Sequence, residues 1–418
     1  MRMPVSRALS NFKGLLIILP ALIPLLPLHL SSGILVAWAI LSFFYFLAFP
    51  EQRIQFPKLI LLPITIFILF IISWPFSIDH ANQSSYVERN LAWIIIPLAY
   101  WMLGVTQLKQ WLSILLWFTM VFTLDIVYAH ASTYLQIENF NKLEPESLTF
   151  NYRTIFENIC GLHPAYVTLF SGLCIVYCIS FVVSENQLSL IKKVLISFVA
   201  LFHFASTIIL ASRMALIATI ASLLFLIITN RKFIKEGLIV IASFVIVGIF
   251  FIVCTPFFSS RIHEVSKEAL ALPANQTNNT LSIRTGIYTC ALSLLKSNWL
   301  LGLTPGDLQI NLNNCYGNIG ADNLKVEEYN THNEYLNKWL CFGIIGFASM
   351  IALLLIPFIN SYKQNNSLFI CFIILMSISL FSENMFSRQY GLFFFLIIYS
   401  PLLIILNIKQ IKQARTNN

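Results

Sequence analysis

The chain has 418 residues, 58% of them hydrophobic and only 11% charged, where a soluble domain carries about 25% charged residues. That balance excludes an ordinary soluble enzyme and indicates an all-α integral membrane protein, whose length sets a number of spans rather than of soluble domains. The net charge of +8 does not point to nucleic acid, because the basic residues sit in short loops between apolar runs, where they orient a chain in a bilayer.

Apolar runs long enough to cross a membrane are expected at about twelve places: 12–29, 32–49, 59–78, 91–104, 111–130, 161–183, 194–211, 214–229, 237–256, 335–358, 367–382 and 391–406. Pro20, Pro24 and Pro27 interrupt the first. No cleavable signal peptide is expected, since that run lacks a small-residue cleavage site and further spans follow. The stretch from Val194 to Thr229 would reach about 54 Å as one helix, against a hydrocarbon core of about 30 Å. It must fold back on itself, and Ser212-Arg213 is the polar break. Lysines and arginines recur on alternate connections, from Arg2, Arg7 and Lys13 to Lys409, Lys412 and Arg415. The positive-inside rule makes that face cytoplasmic and puts both termini there.

The opposite face carries isolated arginines, Arg89, Arg213 and Arg388, and a large loop over about 257–332 between the ninth and tenth spans. The chain reads as a single membrane domain (1–418), with this loop holding short helices. Ile283, Ile287, Ala291, Leu294 and Leu295 repeat near helical spacing and predict an amphipathic helix over 281–297. Pro305-Gly306-Asp307 opens a second short segment. The Gly- and Asn-rich part from Asn311 to Asn323 reads as irregular loop. Among eight cysteines there is no CxxC pair; Cys290 and Cys315 share the loop and could pair in an oxidising compartment.

His332 stands where the loop runs into a new apolar helix, beside lipid that penalises polar groups. Helix-start N–H groups disfavour imidazolium there, so the ring would tend to stay neutral, as a general base requires. The bland alternative is a cap or a solvated loop residue. Arg213 offers a permanent charge and forked donors that fit phosphate oxygens, or else snorkels to headgroups. Arg284 opens the amphipathic helix, or is a solvated surface arginine. Arg89 could pair with Glu88, Arg388 with Glu383, and His163 could be packed where a helix starts. A metal site drawn from His332, Glu334, Asp307 or Asp322 is a weaker alternative, for no paired ligand histidines are present. One base with several arginines suits transfer of a sugar away from a diphosphate.

The runs Arg284-Thr285-Gly286-Ile287-Tyr288, Leu301-Gly302-Leu303-Thr304-Pro305-Gly306-Asp307 and Thr331-His332-Asn333-Glu334-Tyr335-Leu336, followed by Gly343-Ile344-Ile345-Gly346, resemble the O-antigen ligase and polymerase superfamily. So do Ala211-Ser212-Arg213 and Gly161-Leu162-His163-Pro164-Ala165-Tyr166, and the resemblance covers about 150–400. The family often has Trp where Tyr288 stands. The resemblance implies a C-type glycosyltransferase-like architecture in the bacterial inner membrane, with a periplasmic site and no cofactor or metal. It implies an undecaprenyl-diphosphate-linked glycan as donor and lipid A-core as acceptor. Arg213 and Arg284 would bind the diphosphate and His332 would act as base, with Arg89, His163, Arg388 and Asn333 in support. Chain polymerases and protein O-glycan ligases share these features. A lipid-linked glycan flippase is the non-enzymatic alternative, disfavoured because the apolar cores are nearly free of charge, Asp125 being the clear exception.

Overall fold

The computed structural model describes residues 3–137, 145–184, 188–229, 242–244, 246 and 280–416, and these are helical with connecting turns, without strands among them. The helices are α1 (Met3–Ile18), α2 (Leu28–Ala48), α3 (Leu61–Ser73), α4 (His80–Arg89), α5 (Ala92–Met102), α6 (Leu108–Gln136), α7 (Pro145–Cys160), α8 (Pro164–Ser184), α9 (Leu190–Ile209) and α10 (Arg213–Thr229). After the large loop's first part come α11 (Thr280–Asn298), α12 (Pro305–Asn318), α13 (Asp322–Val326), α14 (Glu334–Lys363), α15 (Ser367–Ser379) and α16 (Gln389–Thr416).

Among the described residues, seven helices are long and apolar enough to cross a membrane, and they coincide with the spans expected at 32–49, 59–78, 111–130, 161–183, 194–211, 335–358 and 391–406. Shorter apolar helices, Asn11–Leu25, Arg213–Thr229 and Ser367–Ser379, stand where three more were expected. Helix α5 differs from its expected span: its 11 residues reach only about 16 Å. It sits inside the bundle, with Trp93, Ile96, Ala99 and Tyr100 sealed from solvent, so it needs no lipid-length surface. The run at 237–256 lies almost wholly outside the described residues, as does 257–279 of the large loop.

The prolines near the start act as expected. Helix α1 ends at Ile18, a tight turn over Leu19–Leu25 follows, and Pro27 precedes α2, because a proline ring removes a donor and crowds the preceding turn. Over residues 392–406 helix α16 is almost wholly apolar on every side and is the central column: Phe393 to Tyr399 and Leu402 to Leu406 are nearly all sealed, the signature of a helix surrounded by others. Its Trp111 neighbour on α6 donates from Nε1 to the Ile398 carbonyl at 2.9 Å. Apolar faces of α2, α3 and α6 stay exposed, including Ile40, Phe44, Ile72 and Leu124, as surfaces that meet lipid should.

The large loop folds back onto this bundle through glycines. Gly343 (φ +63°, ψ −156°) breaks the helical path of α14, and the segment 300–304 fits into the break. Leu303 N–H donates to Leu340 O (2.7 Å), Thr304 N–H to Cys341 O (3.0 Å) and Ile344 N–H to Leu300 O (3.2 Å). The strap thus satisfies carbonyls that the kink releases. Gly302 (φ +82°) lies against Gly343 with no room for a β-carbon on either.

Pro305-Gly306-Asp307 then docks on the start of α4. The Asp307 carboxylate accepts from the Ile78 and Asp79 amides and from Thr304 Oγ1, each at 2.9 Å. Burial pushes this carboxyl up, but the Asp79 and Ile78 amides and the hydroxyls of Thr304 and Ser77 outweigh it and hold the group below its ordinary value. A depressed folded pKa stabilises above the ordinary value of 3.8 and loses its contribution as pH falls through the folded value. Asp307→Asn places an amide N–H against backbone donors, and is expected to cost about 2 kcal/mol. The melting temperature of the purified variant against wild type at pH 7 checks it, with the difference shrinking in acid.

The segment read as irregular from Asn311 is instead the second half of α12 as far as Asn318. Leu308, Leu312 and Tyr316 form a buried stripe at four-residue spacing, and Asn311 Nδ2 bonds back to the Asp307 carbonyl at 2.8 Å. Cys315 on α12 is disulfide-bonded to Cys290 on α11, with Cα atoms 5.6 Å apart. Helix α11 itself matches the predicted amphipathic helix.

Candidate active site

Where α9 turns into α10, Ala211 takes a left-handed conformation (φ +53°), and Arg213 becomes the first residue of α10. The turn holds the guanidinium at the edge of the bundle, in an exposed position. Arg284 stands half-buried in the first turns of α11. His332 sits two residues before α14, also left-handed (φ +43°), its N–H donating to Asn330 Oδ1 at 2.9 Å. A positive φ in a non-glycine residue is sparsely populated and needs support from its surroundings.

That support comes from the loop between α15 and α16. Glu334 N–H donates to Leu380 O (2.8 Å) and Asn333 N–H to Asn384 Oδ1 (2.7 Å). The Thr331 hydroxyl, fully buried, accepts from Asn384 Nδ2 at 3.0 Å. Glu334 Oε2 accepts from Phe386 N–H (2.9 Å), and its Oε1 lies 2.9 Å from Lys338 Nζ as a buried ion pair. Asn333 caps α14, its side chain accepting from Leu336 N–H at 3.0 Å. Its role is to fix the segment rather than to line a cavity.

One cavity of about 590 Å³ brings together Arg213, Arg284, His332 and His163, together with Arg153 of α7 and Glu383. His332 Nδ1 is 3.5 Å from Glu383 Oε1, so Glu383 pairs with His332 and not with Arg388. Burial pushes the Glu383 carboxyl up, yet His332, His163 and Arg284 outweigh it and hold it below its ordinary range. A carboxylate on Nδ1 fixes the ring's tautomer and leaves Nε2 as the basic nitrogen. Among the described residues Nε2 has no hydrogen-bond partner. For His163, burial is the main effect and lowers its pKa; Glu157 and Glu383 oppose it, while Arg153 and Arg388 add to it. His163 Nδ1 is taken up in accepting from Ala165 N–H at 3.3 Å.

Arg89 and Arg388 do not join this cavity. They line a second one, of about 250 Å³, together with Asn330 and Asn384. Arg89 lies 5.8 Å from the Tyr86 ring centroid, and no ion pair to Glu88 forms. A further cavity of about 570 Å³ lies among Lys13, Gln52, Lys109 and Gln110 and is lined by none of the arginines or histidines named above.

Arg153 and Glu383 were not singled out by the sequence as site residues, since each reaches the cavity only through packing. Helix α7 is pinned by Tyr152 Oη, 2.6 Å from His130 Nδ1 on α6, whose Nε2 is 2.7 Å from Ser206 Oγ on α9. No group of three or more His, Cys, Asp or Glu side chains among the described residues has the placement of a metal site.

No curated protein matches the chain. The family described as O-antigen ligase matches residues 196–351, a stretch that runs from α9 into α14 and contains Arg213, Arg284, His332 and the Gly343 kink but neither His163 nor Arg388. Over this stretch the chain is similar to the O-antigen ligase family.

Proposed function

We propose that the protein is an O-antigen ligase, moving glycan from undecaprenyl diphosphate to a sugar hydroxyl of lipid A-core at the periplasmic face of the inner membrane. The superfamily implies, in general, a glycosyltransferase-like activity between a lipid-linked glycan and a lipid-anchored acceptor. The observation that carries the finer reading is the single cavity that holds His332, Arg213 and Arg284 together. The Cys290–Cys315 disulfide supports an oxidising compartment for the large loop.

In this reading Arg213 and Arg284 hold the diphosphate of the donor. Their forked guanidinium donors match phosphate oxygens. His332 Nε2 takes the proton of the acceptor hydroxyl as its oxygen bonds to the anomeric carbon. The bond from that carbon to the diphosphate oxygen breaks, and the electron pair leaves on the diphosphate, whose added charge the two arginines stabilise. Glu383 balances the imidazolium so formed. A single displacement inverts the anomeric centre, and no step calls for a metal.

The test is to give the purified protein a lipid-diphosphate glycan with and without lipid A-core, and to follow which molecule gains sugar. Glycan on lipid A-core without chain growth on the carrier is the expected outcome, unchanged by EDTA. Growth on the carrier would make the protein a polymerase, and loss of transfer in EDTA would contradict the metal-free step.

A further inference from the structure

We propose that the second cavity is a binding subsite for a single sugar residue bearing a carboxylate or phosphate, and that this residue belongs to the acceptor. At about 250 Å³ it has the room of roughly eight waters at ~30 Å³ each, enough for one sugar ring and too little for a lipid chain. Its lining combines three kinds of group that recognise an acidic sugar.

The first is charge. Arg89 and Arg388 are exposed and, among the described residues, have no carboxylate within ion-pair distance. Lys338 is matched by Glu334 at 2.9 Å, which leaves Glu328 as the one lining carboxylate against two guanidinium groups. The second is a set of amides with capacity to spare. Asn330 and Asn337 use their oxygens on His332 N–H and the Cys341 thiol, and Gln309 uses its nitrogen on Asn313 and Tyr329. The Asn330 and Asn337 NH₂ groups and the Gln309 oxygen have no partner among the described residues, so they can serve sugar hydroxyls. The third is the Tyr86 ring beside Arg89, an apolar face for a pyranose.

The position explains the assignment to the acceptor, which rests on the transferase reading above. Tyr329 and His332 face the first cavity while Asn330 faces the second, and likewise Glu383 against Asn384. A molecule entering the second cavity reaches the His332 segment from the side away from Arg213 and Arg284. Asn330 also holds the His332 backbone in its left-handed conformation, so filling the subsite would steady the base.

The experiment measures binding alone, so that it can succeed even if transfer fails. Saturation-transfer NMR on the full-length protein in phosphatidylcholine nanodiscs would compare glucose 6-phosphate, glucuronate and glucose. Expected is binding of either or both charged sugars with glucose at least tenfold weaker, the charged sugar that binds showing which anion is preferred. Arg89→Gln with Arg388→Gln should weaken it at least tenfold, while Arg213→Gln with Arg284→Gln leaves it in place, both variants being checked for an unchanged melting temperature; Arg→Lys replacements stand in if the Gln forms are unstable. Equal binding of glucose, or loss only in the Arg213/Arg284 variant, would overturn the proposal. So would displacement of the sugars by phosphatidylglycerol, which would assign the arginines to lipid headgroups.

Discussion

His332→Ala is expected to lower the transfer rate of the purified protein by about 10²- to 10⁴-fold, the usual contribution of a positioned general base, with little change in donor KM. The imidazole is the one ring in the first cavity with a carboxylate on its Nδ1, and its backbone is fixed by Asn330, Asn333 and Thr331 rather than by the ring. Removing the side chain therefore takes away the base without dismantling the segment. His163 supplies the control, because it lines the same cavity and burial lowers its pKa, which favours the neutral ring. A His332→Ala enzyme within about tenfold of wild type, with His163→Gln inactive, would move the base to His163.

Gly343→Ala is expected to be the most damaging single substitution for folding. Its β-carbon would stand 2.0 Å from the Leu300 carbonyl oxygen, and φ +63° is strained for any L side chain. Strain of that kind costs about 1–3 kcal/mol and overpacking about another 1–3 kcal/mol. The neighbour that must yield is backbone, not a flexible side chain, so relief would come only by pulling the 300–304 strap out of α14. That strap leads directly to Asp307 and α12, so the large loop would lose its seat. Loss of the monodisperse, folded protein on size-exclusion chromatography is the expected result. A variant that purifies and melts like wild type would show that the strap is not what holds the loop.

Much of this was legible in the sequence because of contrast. Arg213 and His332 are conspicuous as polar groups against apolar surroundings, and the cost of placing them there is itself the signal. The long span positions were legible for the same reason. What was hidden depends on the fold. Glu383 lies 51 residues beyond His332 in the chain (383 − 332), and only the packing of the α15–α16 loop against the start of α14 sets the two together. Arg153 is one arginine in an amphipathic helix until Tyr152 and His130 fix that helix over the cavity. The Asn311–Asn318 stretch misled through composition: asparagine and glycine suggest loop, while the Leu308, Leu312 and Tyr316 stripe carried the helix. Gly302 and Gly343 stood in plain view, but their mutual contact is a long-range backbone crossing that no local pattern encodes.

The central claim is that Arg213 and Arg284 hold the donor's diphosphate in the same site where His332 acts. The most direct measurement compares transfer from a lipid-diphosphate donor with transfer from the corresponding lipid-monophosphate donor, in wild type and in Arg213→Gln with Arg284→Gln. Wild type should prefer the diphosphate at least 100-fold in kcat/KM, and the double variant should lose most of that preference. The same preference in both proteins would contradict the account.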